Sequence, residues 1–206
     1  MENFKEINLD DAIQLINENK SVLIEEIVDE LNAFYEVAGK IILYSGETNL
    51  ENLIVGNDIV IINGNLNVAN VIEDCDKVDS SLLIVLGNAN CKNLITLSSM
   101  YFTGDLNVEN VILGDSLCDY VLNVGGNITT KTILDYGHCI IAEKVITVTD
   151  VFSFNSIEDE NGAIEQNMER DELVDEITEI DDDEKLESLS KTIDYIKAGG
   201  EIFKKS

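Results

Sequence analysis

Residues 64–72 read GNLNVANVI, and residues 104–112 read GDLNVENVI. The same phrase stands at Gly46 as GETNLENLI and at Gly87 as GNANCKNLI, with a worn copy at Gly126, GNITTKTIL. The glycines lie 18, 23, 17 and 22 residues apart. Repetition near this period belongs to folds in which each unit packs only on its neighbours.

Aligned on the glycine, the copies form columns. Two positions on stand Thr48, Leu66, Ala89, Leu106 and Ile128, and four positions on stand Leu50, Val68, Cys91, Val108 and Thr130. Residues two apart share one face of a strand, so these columns predict the inner face of a sheet. Seven and eight positions on, every copy is again apolar, from Leu53–Ile54 to Ile133–Leu134. Asparagine fills two further columns, Asn49, Asn67, Asn90 and Asn107, and Asn52, Asn70, Asn93 and Asn110. Stacked amides can hydrogen-bond along a ladder, and the glycine suits a corner where a Cβ would clash. The fold class expected is mainly β, a parallel β-helix (β-solenoid) of about five coils. At a spacing of about 4.8 Å the column stands about 24 Å tall. An antiparallel sandwich would not need one residue type at each offset.

The strand texture, short apolar bursts between Gly, Asn and Asp, bounds a repeat domain at residues 39–156. The longer intervals carry insertions, EDCDKVDSS after Ile72 and GDSLCDY after Leu113. Residues 1–38 read as an N-terminal helical cap. Leu9, Ile13 and Ile16 and then Ile24, Ile27, Leu31 and Phe34 fall at helical spacing, with Asn8 or Asp10 as N-cap and Val22–Ile24 open to a short strand. Residues 157–206 read as an acidic segment followed by a helix. Leu173, Ile177 and Ile180 suit a short amphipathic helix, Leu186, Leu189, Ile193 and Ile196 a last one, and EIF a small strand after Gly199-Gly200. A solenoid exposes unpaired backbone at its ends, so the terminal pieces are expected as caps or as side packing.

Chemistry-bearing motifs are sparse. His138 neighbours Cys139, but adjacent strand residues point to opposite faces, which suits a packed histidine better than a Cys–His pair. Cys75, Cys91, Cys118 and Cys139 lack the paired spacing of a zinc site and read as thiols of a cytoplasmic protein. The calcium nonapeptide, the nucleotide loops and the hydrolase signatures do not occur. Aromatics are 6% and tryptophan is lacking, unlike a sugar-cleaving cleft. No catalytic residue, cofactor or metal is expected. The N-terminus shows no basic segment followed by an apolar run, so no signal peptide is expected, and no apolar stretch suffices for a membrane span.

The net charge is −28, from 41 acidic and 13 basic residues. Nucleic acid and anionic membranes are repelled by such a surface, and basic proteins are attracted. Residues 157–184 hold 14 acidic residues against Arg170 alone. The candidate partner-binding residues are Asp74, Asp76, Asp79, Asp115 and Asp119 in the insertions, and Asp181, Asp182, Asp183 and Glu184 in the acidic run.

The phrases GNLNVANVI, LLIVLGNANCKNLI and GDLNVENVI resemble two groups of bacterial proteins over about residues 41–150. One is the bactofilins, polymer-forming cytoskeletal β-helices. The other is the solenoid-like immunity proteins of polymorphic toxin systems. The second resemblance, with the charge, implies an acidic immunity protein (antitoxin), a monomer or dimer. It would bind and occlude a basic cognate toxin such as a nuclease. The first implies a structural filament, against which the helical ends and the mutual repulsion of like charges weigh.

Overall fold

A computed structural model describes residues 4–74, 81–116, 119–178 and 185–204. The chain winds as a parallel β-solenoid of about six turns. The first sheet stacks Ile41–Ser45, Ile59–Asn63, Leu82–Val85, Ser99–Phe102, Val121–Val124, Cys139–Ala142 and Ile157–Asp159, each parallel to the next. The second stacks the repeat phrases, from Thr48–Leu50 through Leu66–Val68, Ala89–Thr96, Leu106–Gly114 and Ile128–Asp135 to Ile146–Thr147. Parallel pairing from coil to coil excludes the sandwich.

The sixth turn was hidden because its anchor is not glycine. Ile146 pairs with Ile128, and Val151 with Ile133, which places Lys144 in the glycine column. The later columns also slip. Ile112 pairs with Leu94 and Ile133, and Ile72 with Leu53 and Leu94. The copies at Gly64 and Gly104 therefore carry one extra residue at the bend between the two arms of the strand. That bulge restores the inward column Leu53, Ile72, Leu94, Ile112, Ile133 and Val151.

The five glycines do line up. A Cβ added at Gly87 would lie 2.5 Å from the carbonyl oxygen of Gly64, one at Gly104 2.8 Å from that of Gly87, and one at Gly126 2.7 Å from that of Gly104. Beside this corner runs a ladder the sequence reading missed. Asn65 Oδ1 accepts from the Asn88 backbone N–H at 3.0 Å, Asn88 Oδ1 from Asp105 at 2.8 Å, and Asp105 Oδ1 from Asn127 at 2.8 Å. Asn65, Asn88 and Asp105, each one place after a glycine, thus satisfy a backbone donor of the next coil.

The first sheet and the second arm of the repeat strands are covered on the outside. Val60, Ile62, Leu83, Val85, Met100 and Phe102 point inward, while Ile59, Ile61, Leu82, Ile84 and Tyr101 point outward beneath two helices. These are α1 (Leu9–Asn17), capped by Asn8, whose Oδ1 accepts from the Asp11 backbone N–H at 2.8 Å, and α2 (Ile24–Tyr35). Val22–Ile24 forms no strand; Leu23 caps α2. Ala12, Ile16, Ile27, Leu31 and Phe34 face the sheet, and each large one stabilises the docking by about 1.5–3 kcal/mol. Polar contacts fix the register: Ser99 Oγ donates to Glu30 at 2.7 Å, and Tyr101 Oη and the Asn123 amide donate to Glu26.

On the opposite flank, α3 (Asp175–Thr178) and α4 (Lys185–Lys197) cover the second arm of the second sheet. Leu173, Ile177, Ile193, Ile196 and Ile202 pack on Ile95, Leu113, Leu134 and Phe152. Residues 201–203 make only an isolated antiparallel bridge, Leu173 to Phe203. Glu73, in the outward column, is met by Lys197 Nζ at 2.5 Å. Of the two arrangements expected for the terminal helices, the contacts are those of side packing. The ends themselves carry antiparallel strands: Phe4–Ile7 on Ile41–Ser45, and Gly162–Ala163 on Ile157–Asp159.

Substituting Gly104→Ala forces a methyl group against the Gly87 carbonyl. Chemical denaturation should show a loss of about 1–3 kcal/mol, and an unchanged stability would mean the coils are not stacked at this corner.

Candidate functional site

Two surfaces carry the exposed chemistry. The first is an acidic strap at the C-terminal end of the solenoid. The sequence places carboxylates at more than half of the exposed positions there: Glu158, Glu160, Glu165, Glu169, Asp171, Glu172, Asp175 and Glu176 all face solvent, with Arg170 among them. The strap is pinned rather than loose. Asn167 exchanges hydrogen bonds with the Val151 backbone, Oδ1 accepting at 2.7 Å and the N–H donating at 3.1 Å. Leu173 and Ile177 are each 1% exposed against the second sheet. Asp159 Oδ2 accepts from the Ile146 backbone N–H at 2.9 Å and Oδ1 from that of Asn161 at 2.7 Å; these bonds hold its carboxyl below the usual carboxylate range. On the strap, Lys204 Nζ meets Asp175 Oδ1 at 3.1 Å.

The second surface is a trough of about 1160 Å³ along the outer face of the second sheet. Its floor is the first asparagine column. The Asn67 amide donates to Asn49 Oδ1 at 3.2 Å, Asn90 to Asn67 at 2.9 Å, and Asn107 to Asn90 at 3.1 Å, the ladder that the repeat predicts. Asn110 donates likewise to Asn93 at 3.1 Å. Five places after each glycine stand Glu51, Ala69, Lys92, Glu109 and Lys131, which line the same trough. This column was legible in the repeat and went unread because its residues share no type.

The candidate aspartates divide. Asp119 is exposed. Asp74 and Asp115 are 1% and 7% exposed, so neither offers its charge to a partner. Asp74 sits at the corner after the second sheet, where both insertions leave. Its carboxylate accepts from Thr96 Oγ1 at 2.9 Å, from Leu97 N–H at 2.8 Å and from Ser98 N–H at 2.8 Å. A turn's own donors, not solvent, claim this acid. Burial nevertheless pushes its carboxyl up to about 7, the turn donors and Thr96 opposing and the charge of Glu73 adding. Asp135 repeats the device three coils on, accepting from the N–H groups of Gly137 and Asn155 and from Ser153 Oγ, and burial raises its carboxyl too. Asp76, Asp79, Asp181, Asp182, Asp183 and Glu184 lie outside the described residues.

His138 is fully buried, packed on Gly114, its ring nitrogens making no hydrogen bond of good geometry; burial pushes its pKa down to about 4. Cys91 occupies the inner column between the two sheets, and burial pushes its thiol up to about 12. Cys75 and Cys118 lie outside the described residues. Among the described residues no three His, Cys, Asp or Glu side chains converge to hold a metal ion, and no helix is long and apolar enough to cross a membrane. No protein-family model, curated protein or solved structure matches the chain.

The raised Asp74 carboxyl has a definite sign. Between pH 4 and 7 the native state binds a proton that the unfolded chain has released, so stability falls as pH rises through that window. Asp74→Asn keeps an oxygen for the turn donors and removes the titration. Relative to wild type, the variant should therefore gain on going from pH 5 to pH 8, by up to about 3 kcal/mol. His138 titrates in both proteins and cancels. Denaturation at the two pH values checks this; a constant difference would mean that Asp74 ionises as an ordinary carboxyl.

Proposed function

We propose that the protein is a non-catalytic binding protein whose acidic strap docks a basic protein and covers its working surface. The observation that carries this reading is the strap itself: eight exposed carboxylates from Glu158 to Glu176, anchored on a rigid scaffold by Leu173, Ile177 and Asn167. Pre-organised charge of one sign speeds encounter with a cationic partner, and little ordering entropy is lost on docking. A partner whose natural ligand is a polyphosphate, a cytoplasmic nuclease toxin above all, would present the matching surface. Carboxylates would then stand where phosphates otherwise bind, which is the action of an immunity protein. A contact of about 1,600 Å² is enough for a stable complex.

The filament reading is the weaker one. The antiparallel strands Phe4–Ile7 and Gly162–Ala163 interrupt the parallel stack at both ends, and a net charge of −28 opposes self-association.

The test is a pull-down with the basic product of the adjoining gene at low and high salt. Binding should weaken by about tenfold or more in the triple variant Glu169→Lys, Asp171→Lys, Glu172→Lys, mainly through a slower on-rate. Capture that ignores both salt and charge reversal would overturn the reading. Light scattering should give one small, concentration-independent mass, and growing polymers would favour the filament.

A further inference from the structure

We propose that the trough on the outer face of the second sheet is a binding site for a neutral, extended glycan chain lying along the solenoid axis. Each amide of the ladder Asn49, Asn67, Asn90 and Asn107 uses one N–H or one oxygen lone pair toward each neighbour. A carboxamide has two N–H donors and two acceptor lone pairs; the second N–H of Asn67 reaches Glu47 Oε1 at 3.4 Å, so Asn49, Asn90 and Asn107 each retain a donor and an acceptor for the trough and Asn67 retains an acceptor. That alternating array matches hydroxyl groups, which donate and accept together.

Spacing selects among polymers. The floor repeats once per coil, about 4.8 Å. An extended polypeptide presents the same face every two residues, about 6.6 Å, and drops out of register within two coils. A β-1,4-linked pyranose chain advances by about one ring per coil; successive rings turn over, and each still offers an edge of hydroxyl groups to the asparagine beneath it. Charge then selects among glycans. Glu51, Lys92, Glu109 and Lys131 line the trough and sum to zero, on a chain whose net charge is −28. The trough is thus a neutral strip on an acidic surface. It neither recruits a polyanion nor resembles the strap proposed to dock a basic protein.

None of the residues lining the trough is aromatic, so binding rests on hydrogen bonds repeated over several rings, and short sugars should bind poorly. The test is an NMR titration of the whole chain with β-1,4-linked hexasaccharides of glucose, xylose, mannose and N-acetylglucosamine. At least one should move the side-chain amide signals of Asn67, Asn90 and Asn107, at least tenfold more tightly than its disaccharide. Asn90→Leu should abolish the shifts. Lys131→Trp, which fills the trough from its edge and leaves the ladder intact, should weaken them at least tenfold with unfolding unchanged. The strap variant Glu169→Lys, Asp171→Lys should bind the sugar as wild type does, which separates this site from the protein-docking surface. No shift with any of the four hexasaccharides would overturn the proposal, as would equal binding by Lys131→Trp.

Discussion

At the glycine corner one coil lies so close on the next that a Cβ has no space, and the rest of the molecule follows from that approach. Gly64, Gly87, Gly104 and Gly126 each rest on the carbonyl of the glycine below. This contact sets the coils at the parallel-strand distance, at which every residue stands over its counterpart. Like then packs on like. Leu66, Ala89, Leu106 and Ile128 fill one inward column, the asparagines join into a ladder, and Asn65, Asn88 and Asp105 each supply an acceptor to the coil above. A side chain in such a stack is bound less by its own propensity than by its two neighbours.

A solenoid built this way has two outer faces and two ends to manage. Strands such as IVIIN and LLIV are buried on both faces, so they cannot meet water, and the N-terminal helices close over them, as the C-terminal helices do over the second arm of the repeat strands. The unsatisfied ends receive antiparallel strands. Acid is then sorted by place. Where a corner offers several N–H donors, Asp74 and Asp135 are drawn inside and become structural. Where the chain leaves the coils, carboxylates remain in solvent and form the strap. A net charge of −28 is therefore not one property but two, a set of internal turn fasteners and an external field.

The architecture was largely readable because stacking writes itself into sequence at fixed offsets. The asparagine ladder came directly from its column. The register of the second arm did not, because the bulge at Asn70 and Asn110 adds one residue in alternate coils and no local signal marks it. The sixth turn escaped for a similar reason: Lys144 stands where the glycine would be. Side packing of the helices had a signal, since continuous apolar runs mean that both faces of a strand are covered. Asp74 and Asp115 were misjudged for a different reason. An acid beside an insertion looks exposed in sequence, and only the folded corner reveals that Thr96, Leu97 and Ser98 converge on Asp74.

By itself the sequence determined the coil: its period, its inward columns, its corner glycine and the charge carried on it. These depend on each residue's distance from the next copy of itself, which a linear text records. The tertiary structure decided which charges face solvent, where the trough runs, and which flank each helix covers. Those depend on residues far apart in the chain meeting across a surface, as Glu26 meets Asn123 and Glu73 meets Lys197, and no repeat spacing encodes such a meeting.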